Sequence, residues 1–88
     1  MKIVLLRVTE TFERQFRKLP LRIQVLAAEK EEVFKNDPFD STLATHKLHG
    51  KEATMWALSV NRAYRIKFAF LENGVVVLSE IGTHGIYR

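Results

Sequence analysis

Four ionisable side chains near the end of this sequence have the types and the spacing needed for chemistry on an anionic substrate. Arg65 and Lys67 alternate along one apolar segment. Glu80 and His84 follow at matching parity in the next segment. A guanidinium fork and an ammonium group can hold a phosphate and its developing charge, and an imidazole can transfer protons near neutral pH. For Lys67 and Glu80, an ordinary cross-strand ion pair is the alternative interpretation.

These four residues share a face only if the two segments form a hairpin around Asn73 and Gly74. An Asn-Gly pair between apolar runs is typical of a two-residue hairpin turn, because a type I′ turn needs positive φ at both central positions. The resulting register sets Phe68 opposite Ser79 on a mostly apolar face and collects the ionisable residues on the other face. It also predicts an exposed apolar patch for a partner at the turn end of that second face. The patch consists of Leu71, Val76, Ala69 and Leu78.

The first half of the sequence predicts a strand and two helices. Residues 3–8 alternate as a strand that is buried on one face and partly on the other, and Thr9 is suited to cap the following helix. Apolar residues at helical spacing predict a short amphipathic helix over residues 10–19. Pro20 suits the first turn of a second helix, which ends at the Asn-Asp-Pro sequence of residues 36–38. The two helices are expected to form a helical hairpin.

The second half predicts a loop and a three-stranded antiparallel meander. Residues 39–54 lack clean periodicity and are interpreted as a loop, the kind of segment that often carries function. Residues 56–60 alternate as a strand that pairs with residues 64–68 across a three-residue turn. Trp56 is assigned to the core rather than to base stacking. We therefore expect an α+β fold, with an N-terminal strand and a helical hairpin packed on a twisted, mainly antiparallel four-stranded sheet.

Composition restricts the class of protein. The length predicts a single domain over residues 1–88, and 14 basic against 10 acidic residues give a net charge of +4, which favours contact with nucleic acid or an acidic protein. The absence of cysteine excludes disulfides and thiolate chemistry. The first residues form neither a signal peptide nor a membrane span, so we expect a cytoplasmic protein without membrane contact.

The sequence does not indicate a metal or a nucleotide cofactor. Three histidines, His46, His49 and His84, could suggest zinc, but two of them lie in the predicted loop and no carboxylate stands at ligand spacing. The four glycines are scattered, which argues against a phosphate-binding loop, and no nucleophile elbow of the hydrolase type is present. We therefore predict no metal and no cofactor.

Several short sequences, taken in order, resemble the RelE/ParE toxin superfamily, nearest its YafQ-like and YoeB-like members. After the strand and the helical hairpin come Thr-His-Lys-Leu-His-Gly at 45–50, Tyr-Arg-Ile at 64–66 and Ile-Gly-Thr-His at 81–84. The resemblance implies a RelE-like fold and the toxin of a type II toxin-antitoxin system, of the kind associated with plasmid stabilisation. Such a toxin is an mRNA interferase, an endoribonuclease that enters the ribosomal A site, cuts messenger RNA without a metal and so inhibits translation. A cognate antitoxin neutralises it.

The resemblance also implies roles for individual residues. Arg65 corresponds to the arginine that stabilises the phosphate transition state, and His84 to the general acid or base after the final strand. His46 corresponds to the loop histidine of the YafQ-like branch, and Tyr87 to a C-terminal aromatic residue that positions the substrate. Basic residues of the second half are the candidate RNA contacts. They are Lys47, Lys51, Arg62, Lys67 and Arg88.

Departures from the family pattern leave other functions open. Gly85 stands where relatives commonly have an acidic residue, and the segment before Tyr87 is short. Ala57 and Ser59 stand where the RelE branch has catalytic lysines. One alternative is a catalytically weak or inactive protein that acts as a binding module. Another is a ParE-like inhibitor of DNA gyrase, which would act by protein contact and without chemistry.

Overall fold

A strand, two helices and four further strands follow one another along residues 2–87, which are the residues that the computed structural model describes. They form one sheet with strand order β1-β5-β4-β3-β2, in which β1 and β5 are parallel and the other neighbours are antiparallel. The predicted α+β fold with a mainly antiparallel sheet is thus confirmed. The elements are β1 (Leu5–Val8), α1 (Glu10–Arg17), α2 (Leu21–Asn36), β2 (His46–Lys47), β3 (Trp56–Ser59), β4 (Arg65–Phe70) and β5 (Val75–Gly82).

The sheet has five strands rather than the predicted four, because the predicted loop contains the short strand β2. His46 lies opposite Ala57 in β3, and Lys47 lies opposite Trp56. The strand is limited to two residues because the chain turns on both sides of it. Ala44 before the strand has a φ of 49°, and Gly50 after it has a φ of 70°.

Thr9 determines both where the helix α1 begins and how it is attached to the sheet. The Thr9 hydroxyl accepts a hydrogen bond of 3.0 Å from the backbone N–H of Phe12, as the predicted cap requires. The same hydroxyl donates a bond of 2.7 Å to the backbone carbonyl of Ser79 in β5. One side chain therefore both starts the helix and joins it to the sheet. Pro20 lies immediately before α2, and neither helix of residues 2–87 is long and apolar enough to cross a membrane.

A second contact completes the edge of β5. The strand β1 pairs with Val75 to Leu78 of β5, so among residues 2–87 no strand lies beside the outer edge of the rest of β5. There the side-chain oxygen of Gln15 accepts a bond of 2.8 Å from the N–H of Ile81. The helix α1 thus replaces a strand at this edge, which satisfies a backbone donor that would otherwise be unpaired.

The core lies between the helices and one face of the sheet. Phe34 of α2 packs edge-on against Phe68 of β4, with ring centroids 4.8 Å apart. Trp56 is half-buried and packs against Phe39 and Phe70 at the margin of this core, as its assignment to the core predicts. We call the opposite face of the sheet, to which Lys67 belongs by alternation along β4, the distal face.

The hairpin between β4 and β5 differs from the prediction in its turn and in half of its register. The turn has three residues rather than two, Glu72–Gly74, and the Leu71 N–H donates to the Val75 carbonyl at 2.8 Å. Lys67 lies opposite Glu80 as predicted, but Phe68 lies opposite Leu78, because a bulge leaves Ser79 as an extra residue. The bulge buries leucine instead of serine in the core.

The same bulge changes which residues of β5 lie on the distal face, and so changes the predicted apolar patch. Val76 and Leu78 are buried in the core, so their assignment to an exposed patch was wrong. Val75 and Val77 take their places on the distal face and are half-buried. Leu71 remains exposed, as predicted.

The first strand is also more exposed than predicted. Val4, Leu5 and Val8 have 78%, 45% and 41% of their surface exposed, because β1 is an edge strand with one neighbour. Its start is anchored to the hairpin turn by a bond of 2.9 Å from the Val4 N–H to the Gly74 carbonyl. A side chain at Gly74 would place its Cβ 2.8 Å from a methyl group of Val4, and Gly74 also has a φ of 75°. Glycine is therefore required there twice over.

Replacing Thr9 tests the junction between α1 and β5. Thr9→Ala should lower the free energy of unfolding by about 1–2 kcal/mol, because it removes a helix cap and the bond to Ser79. Thr9→Ser keeps the hydroxyl and should retain most of the stability. Urea denaturation of the three proteins measures the difference, and equal stability of the alanine and serine variants would contradict this account.

Candidate functional site

The distal face has a buried ion cluster at its centre. The Lys67 ammonium lies 2.8 Å from a carboxylate oxygen of Glu80 and 3.2 Å from Glu52, and it donates a bond of 3.0 Å to the backbone carbonyl of Ile86. Lys67 is only 4% exposed and Glu80 7%. The side-chain amide of Gln15 reaches Glu80 at 3.3 Å. The structure therefore favours the ion-pair interpretation of Lys67 over an RNA contact.

Arg65 lies next to this cluster in β4 and is half-buried. One nitrogen of its guanidinium, Nη1, donates to the carbonyls of Asn61, Arg62 and Tyr64, the latter two at 3.1 Å. The turn between β3 and β4 thus fixes the direction of the side chain. Nε and Nη2 have no hydrogen bond to other residues in the 2–87 range, so these donors can hold an anion such as a phosphate.

A short 3₁₀ turn, His84–Ile86, follows β5; it begins with the predicted site residue His84, and a second one, Tyr87, follows it directly. His84 is exposed, and its ring meets the ring of Tyr87 at a centroid distance of 5.7 Å and an angle of 74°. Ile86, between them, is buried. The turn is closed by a bond of 3.1 Å from the Ile86 N–H to the Thr83 carbonyl.

Tyr87 points its hydroxyl into the protein. The hydroxyl is buried and has no hydrogen-bond partner within the described part of the chain. Burial raises the pKa of Tyr87 above its ordinary value of 10.0, although the positive charges of Arg65 and Lys67 act in the opposite direction. Tyr87 is therefore a neutral phenol near pH 7. Its ring can stack on a substrate, but the buried, neutral hydroxyl cannot act as a phenolate base.

His46 is exposed at the start of β2, and its ring has a defined orientation. Nδ1 lies 2.9 Å from the backbone carbonyl of Ala44. A carbonyl oxygen can only accept, so Nδ1 carries the proton and Nε2 of the neutral ring has a free lone pair. The left-handed conformation of Ala44 turns its carbonyl toward the ring. By its pairing with Ala57, His46 belongs to the distal face together with Lys67.

The other predicted RNA contacts are less closely grouped. Lys47 is exposed but belongs to the opposite side of β2 from His46, since neighbouring strand residues alternate. Lys51 is exposed in a 3₁₀ turn, next to Glu52. Arg62 is exposed in the turn that holds Arg65. Arg88 lies outside the described residues.

Sequence reasoning missed two parts of this site. Glu52 lies in a segment without periodicity, and nothing in the sequence places it against Lys67. The second missed residue is Gly82. Glycine at this position leaves space for Ile86, because a Cβ there would lie 2.9 Å from Cγ2 of Ile86, and it is not required by the backbone conformation. Within residues 2–87, no three histidine, cysteine, aspartate or glutamate side chains are grouped as a metal site would require.

The structure thus combines an arginine held from a β-turn, a histidine turn after the last strand and a sheet with one parallel edge in a small α+β fold. Comparison with solved structures makes this specific: the chain has the fold of the RelE, YoeB and YafQ toxins. The RelE/ParE-like fold that the sequence resemblance predicted is thereby confirmed. No protein-family model matches the chain, and no curated protein sequence matches it at a significant level.

Three solved structures illustrate the similarity. The RelBE2 toxin–antitoxin complex of Mycobacterium tuberculosis matches with a TM-score of 0.79 and 21% identity, over 96% of this chain and 94% of that chain. The YoeB/ParE toxin of Agrobacterium tumefaciens matches with a TM-score of 0.76 and 16% identity, over 96% and 99% of the two chains. The archaeal RelE–RelB complex of Pyrococcus horikoshii matches with a TM-score of 0.75 and 13% identity, over 97% and 98%.

Removing the Tyr87 hydroxyl tests its buried and unpaired state. Tyr87→Phe should leave stability at pH 7 unchanged or slightly higher, because the hydroxyl makes no hydrogen bond to the rest of residues 2–87. In the wild type, the pKa of Tyr87 is higher in the folded protein than in the unfolded chain, so the hydroxyl loses its proton at a lower pH when the chain is unfolded. The free energy of unfolding therefore falls as the pH rises above 10.0. The Phe variant should lose less stability there.

Urea denaturation at neutral pH and above pH 10 measures both effects of Tyr87→Phe. Tyr64→Phe, which removes the second tyrosine hydroxyl of the chain, is the matched control. A pH-dependent gain of equal size in the control would show that the effect does not come from Tyr87.

Proposed function

We propose that this chain is the toxin of a type II toxin-antitoxin system and acts as a ribosome-dependent endoribonuclease. The observation that carries the proposal is the combination, on a RelE-like fold, of a turn-anchored Arg65 with two exposed histidines. His46 belongs to the distal face with Arg65. His84 contacts Tyr87, and Gly82, two residues before His84, lies opposite Arg65 in the sheet.

The proposed reaction is transesterification within the messenger RNA. Nε2 of His46 removes the proton of a ribose 2′-hydroxyl, and the oxygen attacks the adjacent phosphorus. The free donors of Arg65 stabilise the added negative charge in the transition state. The imidazolium of His84 protonates the 5′ oxygen as its bond to phosphorus breaks. The products are a 2′,3′-cyclic phosphate and a 5′-hydroxyl, and no metal takes part.

The structure supports the choice of His46 as the base. Its Nδ1 is occupied by the Ala44 carbonyl, so the lone pair of the neutral ring faces outward on Nε2. His84 is solvent-exposed and is held by the turn and by the Tyr87 ring. Tyr87, as a neutral phenol, positions the substrate without exchanging a proton with it.

The ribosome is proposed to complete this site. His46 and His84 are both exposed to solvent. A site with so little wall cannot orient a flexible RNA by itself, so the A site must supply much of the orientation. The net charge of +4 favours approach to ribosomal and messenger RNA. Exposed Lys51 and Arg62 are the basic residues that we assign to RNA contacts.

We assign an antitoxin to the apolar patch that the structure shows on the distal face, which consists of Leu5, Leu71 and Val75. Leu5 and Leu71 are 45% and 51% exposed and line one shallow groove with Val75, which lies opposite Leu5. The RelE and YafQ toxins have been solved as complexes with RelB and DinJ. An acidic antitoxin with apolar anchor residues would complement both the patch and the net positive charge of the chain.

One observation favours the alternative of a binding module. The positions of the catalytic lysines in the RelE branch are occupied by a buried Ala57 and by Ser59, whose hydroxyl bonds to the Asn61 carbonyl. Lys67 does not replace them, since its ammonium is enclosed by protein partners. A chain that docks to the ribosome or the antitoxin without cutting RNA would retain the fold and lack the cleavage products.

Replacing His84 tests the proposed reaction. His84→Gln should lower messenger cleavage by about 100-fold or more, because it removes the general acid, and it should leave thermal stability nearly unchanged because His84 is exposed. Primer extension on messenger RNA after brief induction, with translation followed in parallel, measures cleavage and its consequence together.

The matched control is His49→Gln, an exposed histidine outside the proposed mechanism. It should cut at the same codon positions as the wild type. Unchanged cleavage by His84→Gln would remove His84 from the mechanism. Intact messenger after induction of the wild type would favour the binding module.

A further inference from the structure

We propose that Lys67, together with Gly82, is a positioning element that latches the C-terminal turn to the sheet and so places His84 and Tyr87. The C-terminal latch comprises Lys67, its carboxylate partners Glu52 and Glu80, and the pair Gly82 and Ile86. The inference rests on the proposed function for the roles of His84 and Tyr87. It gives Lys67 a positioning role in place of an RNA contact.

The polar half of the latch is the Lys67 ammonium. It has three N–H donors, and the structure supplies three partners within 3.2 Å: Glu80, Glu52 and the Ile86 carbonyl. Two carboxylates beside one ammonium also give the cluster no surplus positive charge to attract a phosphate. At 4% exposure, this ammonium acts inside the protein.

The apolar half of the latch is the contact of Ile86 with Gly82. The Ile86 side chain is 5% exposed and covers the end of β5. An added Cβ at Gly82 would lie 2.9 Å from Cγ2 of Ile86, closer than such atoms approach. Gly82 is not among the residues with positive φ, so its backbone would accept a side chain. The absence of a side chain there serves only to admit Ile86.

The two halves act on the segments that carry the proposed catalytic histidines. Tyr87 follows Ile86 directly, and His84 lies two residues before it in the same 3₁₀ turn, so fixing the carbonyl and the side chain of Ile86 restricts the positions of both. Glu52 lies in the 3₁₀ turn Gly50–Glu52, which follows β2 and its residue His46. Lys67 therefore ties the loop of one histidine to the turn of the other. Exposed turns without such anchors are poorly ordered, and a displacement of about 1 Å can cost roughly 100-fold in rate.

Two glycine variants test the latch with a matched pair. Gly82→Ala should displace Ile86, lower messenger cleavage by about 10-fold or more, and speed amide hydrogen exchange at Ile86 and Tyr87. Exchange in the core of β4 should change little. Gly85→Ala is the control, because a Cβ at that position meets nothing within 4 Å, and it should match the wild type.

Lys67→Met removes the polar half and is measured in the same way. Replacing Lys67 removes the ammonium that neutralises the carboxylates of Glu52 and Glu80, so it is expected to destabilise the fold as well. Gly82→Ala keeps the test decisive if Lys67→Met does not fold. The nuclear Overhauser contact between the His84 and Tyr87 rings provides a local readout, and it should weaken in both variants.

The outcomes separate this inference from the proposed function. If the amides of Ile86 and Tyr87 exchange in Gly82→Ala at the same rate as in the wild type, the latch is overturned. This holds whether or not the wild-type protein cuts RNA. Faster exchange at both amides with full cleavage would overturn the positioning role. A wild type that does not cut messenger RNA would contradict the proposed function, while the exchange and ring-contact measurements would still decide the latch.

Discussion

A buried ammonium group imposes the strictest requirement on this structure. Removing the Lys67 charge from water is costly unless carboxylates and carbonyls surround it, so the surrounding segments must come to it. They do so from four directions: β5 through Glu80, the loop after β2 through Glu52, the C-terminal turn through Ile86, and α1 through the contact of Gln15 with Glu80. Both α-helices of residues 2–87 pack against the other face of the sheet. The cluster therefore organises the side of the molecule where the hydrophobic core does not reach.

This arrangement separates two kinds of positive charge on the distal face. Lys67 is neutralised and structural, whereas Arg65 is hydrogen-bonded to other residues of 2–87 only through Nη1, which leaves its remaining donors available to a ligand. The difference follows from the partners. The turn between β3 and β4 offers carbonyl oxygens, which orient a guanidinium without cancelling its charge, while Glu52 and Glu80 offer charge to the ammonium. An arginine oriented in this way suits phosphate binding because its geometry is set before the substrate arrives.

The edge strand β1 and the bulge in β5 prepare the surface that we assign to a partner. The bulge at Ser79 lets Leu78 enter the core and leaves Val75 on the distal face, next to Leu5 of β1. Because β1 has one neighbour, its apolar side chains remain accessible. An edge strand with exposed apolar residues promotes association unless something covers it. A chain that carries such an edge together with a net charge of +4 is suited to an acidic partner.

The sequence by itself determined the elements with strong local signals. Thr9 capped its helix as predicted, and the pairing of Lys67 with Glu80 followed from alternation along two strands. The resemblance of several short sequences, taken in their order along the chain, to the RelE/ParE superfamily led to the correct fold. Local patterns suffice there because helix caps and strand periodicity depend on residues close together in the chain.

Tertiary structure alone decided the burial of Lys67, the bulge at Ser79 and the roles of Glu52 and Gly82. Strand periodicity put Lys67 on the correct face but carried no information about what covers that face. Its cover comes from a loop without periodicity and from the last turn of the chain. The bulge depends on which side chain fits against Phe68, and Gly82 depends on the arrival of Ile86. These are contacts between separate segments, whose geometry exists only once the sheet has formed.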